Sequence, residues 1–263
     1  MKLKDSVCVV TGASSGIGRA TALEMARRGA TVALVSRNAE TLGDVLLDVA
    51  RHSPASILHA CDVGDVASVE SMVADVLQRC GRIDLMFANA GFGHFSPLVD
   101  MPDAEVEEMV RTNVLGQVWS CKAVLPHMME RGSGHLVVMS STNGRIPPPL
   151  QSVYNATKFA AIGLGETLLY EVEPFGIGVT IVYPGAIDTP FFAPPEFGRM
   201  RTPKKIAPDR MGKAICDGIE RGAYDVSLPR VLRLPAMMRV LAPPLVRKGV
   251  RKYAASVVPR PPK

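Results

Sequence analysis

A chain of 263 residues, 47 % hydrophobic and 21 % charged, carries enough apolar surface for one large folded domain, which excludes disorder for the body of the chain. Its five cysteines (Cys8, Cys61, Cys80, Cys121, Cys216) form no CxxC pair and have no histidine at metal spacing; they read as free thiols, with no disulfide framework and no metal site. The net charge of +5 is unevenly spread: from Val226 onward there are nine basic residues and no acidic one, while the rest of the chain carries 21 basic and 25 acidic residues, a net −4.

Met1 to Asp5 lead into an apolar run too short for the core of a signal peptide, and no stretch approaches the roughly 20 apolar residues of a membrane span, so a cytoplasmic protein is expected. Ser6–Thr11 predicts a β-branched strand, and Ser15–Arg28 a helix that Gly29 ends, with Ile17, Ala20, Leu23 and Met25 at helical spacing. A strand at Thr31–Ser36 and a helix from Asn38, a plausible N-cap, to Arg51 repeat the cycle. A strand at Ser56–Cys61, a helix that Asp65 can cap, a strand at Ile83–Ala88 and one long helix over Ala104–Met129 follow. Then come a strand at His135–Ser140, a helix at Ser152–Glu173 and a strand at Gly178–Tyr183.

Strands that are apolar throughout imply burial on both faces, and their alternation with helices predicts a single doubly wound α/β domain: a parallel sheet with helices on both faces and right-handed crossovers. Phe191 to Pro208, rich in Pro, Phe and basic residues, reads as a long functional loop (about 190–208). A helix at Asp209–Arg221 and a strand at Tyr224–Leu228 close a domain of residues 1–228. Residues 229–263 form a basic, amphipathic extension that Pro235, Pro243 and Pro244 cut into short helical pieces.

Thr11-Gly12-Ala13-Ser14-Ser15-Gly16-Ile17-Gly18 follows the first strand and opens a helix. Glycines let backbone approach a pyrophosphate, whose charge is met by unpaired N–H groups and the positive end of the helix dipole. The acidic residue that dinucleotide folds place at the end of the second strand, to hold a ribose 2′-hydroxyl, is missing. Leu34-Val35-Ser36-Arg37 stands there instead, and Arg37 suits a 2′-phosphate, so NADP(H) is expected in preference to NAD(H). Tyr154-Asn155-Ala156-Thr157-Lys158 places a phenol and an ammonium four residues apart on one helix face. The ammonium should lower the phenol's pKa from its ordinary value near 10 and make it a usable proton carrier. Ser140-Ser141 ends the fifth strand at the carboxyl edge of the sheet, where ligands of open α/β sheets bind.

Taken together in order, these motifs resemble the short-chain dehydrogenase/reductase family in its roughly 250-residue, Rossmann-like form. The resemblance runs over about residues 5–190. It rests on TGxxxGxG at Thr11–Gly18, Asn89-Ala90-Gly91, Asn113, Ser141 thirteen residues before the tyrosine, Tyr154 and Lys158 as YxxxK, and Pro184-Gly185. It implies that Tyr154 is general acid in reduction and base in oxidation, that Lys158 depresses its pKa and holds the nicotinamide ribose, and that Ser141 steadies the substrate carbonyl. It further implies that Asn113 holds a water linking Lys158 to solvent. Cofactor contacts are implied at Gly12, Ser14, Ser15, Gly16, Ile17, Gly18, Arg37, Asp62, Val63, Asn89, Ala90, Gly91, Tyr154, Lys158, Pro184, Gly185, Ile187 and Thr189. Ala88 departs from the family's usual Asn and Thr157 from its usual Ser, while Ser15 stands where some NADP-preferring members carry a base.

The activity these features imply is hydride transfer between NADP(H) and a carbonyl or alcohol. Phe191, Phe192, Phe197 and Met200 either line an apolar substrate pocket or pack as a lid, and His94 and Phe95 border the same cleft. The basic tail suits an anionic membrane surface, and with it a lipid ketone of keto-sphingoid or acyl type; packing on its own domain or a partner subunit is the alternative. A non-catalytic NADP(H) sensor or scaffold is the reading from another class, and the intact Asn113/Ser141/Tyr154/Lys158 set argues against it. The resemblance implies a homodimer or homotetramer, and near-absent aromatic interleaving leaves no case for nucleic acid.

Overall fold

The computed structural model describes residues 1–192 and 205–257. Seven strands form one parallel sheet: β1 (Val7–Thr11), β2 (Thr31–Ser36), β3 (Ile57–Ala60), β4 (Leu85–Ala88), β5 (Gly134–Met139), β6 (Ile177–Pro184) and β7 (Asp225–Leu228). Their spatial order is β3-β2-β1-β4-β5-β6-β7, so the winding reverses between β1 and β4 and opens a crevice at the carboxyl ends of those strands.

Alternate side chains of each strand leave for opposite faces and build two cores. Cys8 and Val10 join the core beneath helices α1 (Gly16–Arg27), α2 (Ala39–Ala50) and α7 (Pro208–Glu220). Val7 and Val9 join the core beneath α3 (Val66–Cys80), α5 (Gly116–Arg131) and α6 (Ser152–Val172). Burial on both faces is why these strands read as unbroken apolar runs.

Local signals set the helix starts. Asn38 Oδ1 accepts from the amides of Glu40 and Thr41 (2.9 and 3.1 Å) to cap α2, and Asp65 caps α3 through the Ala67 amide at 3.1 Å. Helix α1 begins at Gly16 with no side-chain cap on its first amides.

Two expectations change. The helix expected over Ala104–Met129 is α4 (Asp103–Val110), a π-helical segment at Arg111–Leu115 and then α5. The tail is also not cut at Pro235, which lies in the first turn of α8 (Arg233–Leu241), where a missing N–H has no intrahelical partner to lose. The break falls instead at Pro243-Pro244, which open α9 (Pro243–Val257). Phe197 and Met200 lie outside the described residues, as does most of the loop expected over 190–208. Its flanks are joined by a parallel bridge between Ile187 and Ile206. No described helix is long and apolar enough to cross a membrane.

Candidate active site

The crevice at the β1/β4 reversal is a cleft of about 760 Å³. Every cofactor position expected from the sequence lines it, together with Ser141. The glycine-rich turn is shaped by close approaches. A Cβ on Gly18 would stand 2.2 Å from the Gly12 carbonyl, and one on Gly12, whose φ is +65°, would stand 2.9 Å from the Ala90 Cα. The Thr11 hydroxyl accepts from the amides of Asn89 and Ala90 (2.9 and 3.0 Å), and Asn89 Nδ2 donates to the Thr11 carbonyl at 2.8 Å. Asn89 thus ties the turn to the end of β4 while it forms part of the cleft wall.

This cradle fits a dinucleotide. The turn brings backbone within reach of a pyrophosphate, and the first amides of α1 lack a side-chain cap and face the cleft as an anion site. Arg37, just after β2, lines the cleft, two-thirds exposed, and pairs with Glu108 at 3.1 Å. Asp62 uses one carboxylate oxygen to accept from the Gly64 amide at 2.9 Å.

At the other end of the cleft, the opening turns of α6 carry Tyr154 and Lys158, both buried. The Lys158 ammonium lies 5.5 Å from the Tyr154 ring centroid and donates to the Met139 carbonyl at 3.1 Å. The expected lowering of the phenol by this ammonium is not the effect that prevails at Tyr154. Burial pushes Tyr154 up to about 12, against the opposing effect of its hydrogen bond with Ser141, and burial pulls Lys158 down to about 8. Ser141 also accepts from the Asn143 amide at 3.1 Å, which anchors the turn after β5.

Asn113 differs from the rest of the expected set, because it does not line the cleft. It is fully buried behind the wall: Nδ2 donates to the Phe92 carbonyl (2.8 Å) and the Thr157 hydroxyl (3.2 Å), and Oδ1 accepts from the Phe92 amide (3.0 Å). Gly91 separates it from the ligand space, since a Cβ there would stand 2.9 Å from Asn113 Oδ1 and 3.5 Å from Lys158 Nζ. The π-helical segment puts Asn113 in this place, and Gln117 completes the bracket. Gln117 Nε2 donates to the carbonyls of Asn113 (2.8 Å) and Met139 (3.1 Å), and its Oε1 accepts from the Met139 amide (3.1 Å). Neither Gln117 nor the π turn was anticipated, because Gln117 acts through contacts with distant Met139 and a single π turn carries no residue signature of its own.

Phe191 lies 5.4 Å from Tyr154, and Phe95 lies 6.0 Å from both rings. His94 is not on the cleft wall and pairs with Glu105. Leu232 and Tyr253, from the extension beyond residue 228, also line the cleft. Their contribution has no local sequence signal. It follows from α8 docking on the domain through Arg233, paired with Asp225, and Arg239, which donates to the Arg145 carbonyl at 2.8 Å and covers the Phe159 ring at 4.8 Å.

Residues 6–196 match the short chain dehydrogenase family. An uncharacterized oxidoreductase of Staphylococcus epidermidis is 32 % identical over 81 % of this chain and 90 % of its own. The 3-ketodihydrosphingosine reductase of Bos taurus is 31 % identical over 84 % of this chain and 70 % of its own. Among solved structures, an alcohol dehydrogenase from Thermococcus sibiricus, complexed with 5-hydroxy-NADP, superposes with a TM-score of 0.77 at 30 % identity, over 86 % of this chain and 96 % of that one.

Proposed function

The chain belongs to the short-chain dehydrogenase family of oxidoreductases, and from that premise we propose that it reduces the carbonyl of an apolar small molecule with NADPH, or oxidises the corresponding alcohol. The observation that carries this reading is the phenol of Tyr154, beside Ser141 on the cleft wall and backed by Lys158, at the end of a dinucleotide-sized cleft where Phe95 and Phe191 form an apolar surround.

The glycine-rich turn and the start of α1 would hold the pyrophosphate, Arg37 the 2′-phosphate, and Ile187 and Thr189 the nicotinamide end. When bound, the nicotinamide supplies the hydride. Ser141 orients the substrate oxygen, and Tyr154 delivers its hydroxyl proton to that oxygen as charge builds there. Lys158, when protonated, favours the phenolate left behind. Asn113 positions Lys158 indirectly: it fixes Phe92 and Thr157, and the Thr157 hydroxyl donates to the Tyr154 carbonyl at 2.8 Å.

The absence of an acidic residue after β2, with Arg37 in the cleft wall, supports NADP(H) over NAD(H). Within the same chemistry, a lipid ketone is the second reading, favoured by the apolar wall that the tail adds and by the likeness to the bovine 3-ketodihydrosphingosine reductase. Self-association and peripheral contact with an anionic bilayer complete the proposal.

The test is an NADPH-oxidation screen over ketones of graded chain length, with Tyr154→Phe as control. Turnover rising with chain length, and lowered about 10²–10⁴-fold in the variant, supports the reading. A flat panel with intact NADPH binding in both proteins would leave a cofactor-binding sensor in its place.

A further inference from the structure

The tail does more than wall the cleft. In α8, Leu234, Met237 and Leu241 follow i, i+3 and i+7 spacing with Val240 alongside, and all four are between 53 and 79 % exposed. The opposite side of the helix carries Arg239, which holds α8 to the domain. An amphipathic helix ordinarily turns its apolar stripe inward; here Arg239 docks and the stripe stays more than half exposed, with Met237 and Val240 at the edge of a groove between α8 and the domain. Helix α9, packed against α8, is arranged the other way. Val246, Val250 and Tyr253 lie on its half-buried side, and Arg247, Lys248, Arg251 and Lys252 on its exposed side. None of these four forms an ion pair among the described residues, and no acidic residue follows Asp225 to offset them.

We propose that α8 and α9 are a docking surface for an anionic bilayer, with the apolar stripe of α8 entering the headgroup region and the basic side of α9 held by lipid phosphates. Charge complementarity selects this occupant. A second copy of the chain would bring the same uniformly basic tail against this one, whereas an anionic leaflet attracts it. Tyr253 of α9 and Leu232, the residue just before α8, also line the cleft, so docking would place that side of the cleft against the lipid. Entry of a lipid carbonyl by that route rests on the reductase reading; the docking itself does not.

The experiment is vesicle co-sedimentation of the full chain. Binding to vesicles of phosphatidylglycerol mixed with phosphatidylcholine, none to phosphatidylcholine alone, and release at about 0.5 M salt are the expected results. Reversing the four α9 charges to Glu should lower the bound-to-free ratio at least about tenfold. Leu234→Asp/Met237→Asp/Leu241→Asp, substitutions at exposed positions, should lower it comparably with an unchanged circular dichroism spectrum. Tyr154→Phe should bind vesicles as the wild type does even though it has lost turnover, which separates failure of docking from failure of the catalytic reading. Equal binding to both vesicle types, or none to either, overturns the proposal. So does a wild-type dimer that the triple Asp variant converts to monomer without any vesicle binding, because the stripe is then a contact between copies of the chain.

Discussion

At Tyr154 and Lys158, burial outweighs the attraction between phenol and ammonium, because desolvation penalises each charged form in a site closed by Phe95, Phe191 and the sheet edge. The depressed lysine has a direct consequence. Free enzyme loses the Lys158 proton near pH 8 instead of above 10, so kcat/KM for reduction should fall above about pH 8, as measured across a pH series at low substrate. The same shift acts on stability: between about 8 and the ordinary lysine value the unfolded chain holds more protons than the folded one. The Lys158 contribution to stability therefore rises with pH over that window, visible as a smaller pH response of Tm in Lys158→Met. Arg37 belongs to the same scale. Its guanidinium is exposed and, among the described residues, paired only with Glu108 at 3.1 Å, which makes it available to a phosphate. Arg37→Ala should raise the KM for NADPH by about tenfold or more, the loss of a charge-assisted bond of about 1.5–3 kcal/mol, and leave the KM for NADH nearly unchanged; parallel loss with both cofactors would refute the role.

Between elements, the bracket around Asn113 and the anchor of the tail carry the most. Asn113→Ala strips partners from the amide and carbonyl of Phe92 inside the protein, so a loss of about 1–3 kcal/mol in chemical denaturation is expected, together with reduced activity from a loosened Lys158. Where β7 meets α8, Asp225 is mostly buried between Arg145 and Arg233, and Arg145 covers the Tyr183 ring at 3.4 Å. Burial works against the Asp225 carboxylate, but its hydrogen bond with Arg145 prevails and holds the pKa below the usual carboxylate range. Its stabilisation is therefore present above about pH 4 and lost as pH falls. Asp225→Ala leaves the half-buried Arg145 without its carboxylate, held by Ser227 and the Tyr183 ring, and should cost about 1–3 kcal/mol, read as a lower Tm at neutral pH. A contrasting weakness is packing without slack. Gly212 of α7 lies against α1, and a Cβ there would stand 2.8 Å from the Ala20 backbone, so Gly212→Ala should destabilise by about 1–3 kcal/mol.

For the whole molecule, the order β3-β2-β1-β4-β5-β6-β7 brings residues from the glycine-rich turn, β4, β5, α6, β6 and the tail to one crevice. Much of this was legible along the chain. Unbroken apolar strands, capping residues such as Asn38 and Asp65, and ordered motifs from Thr11 to Pro184 each carry a local signal, because a strand buried on both faces, a helix start and a phosphate-binding turn all depend on neighbouring residues. Tyr154 and Lys158 were visible for the same reason, as a helix brings residues four apart onto one face. Other features depended on contacts between distant segments. The π turn that sets Asn113 behind Gly91, the Gln117 bracket to β5, and the rise of Tyr154 to about 12 through burial exist only once the elements are packed. The tail shows the division most clearly. Its composition announced an amphipathic basic segment, but Arg233 and Arg239 docking on Asp225, Arg145 and Phe159 decided which side faces out and placed Leu232 and Tyr253 in the cleft wall. A helix's period specifies that it has two faces; only the surface it packs against selects which one is buried.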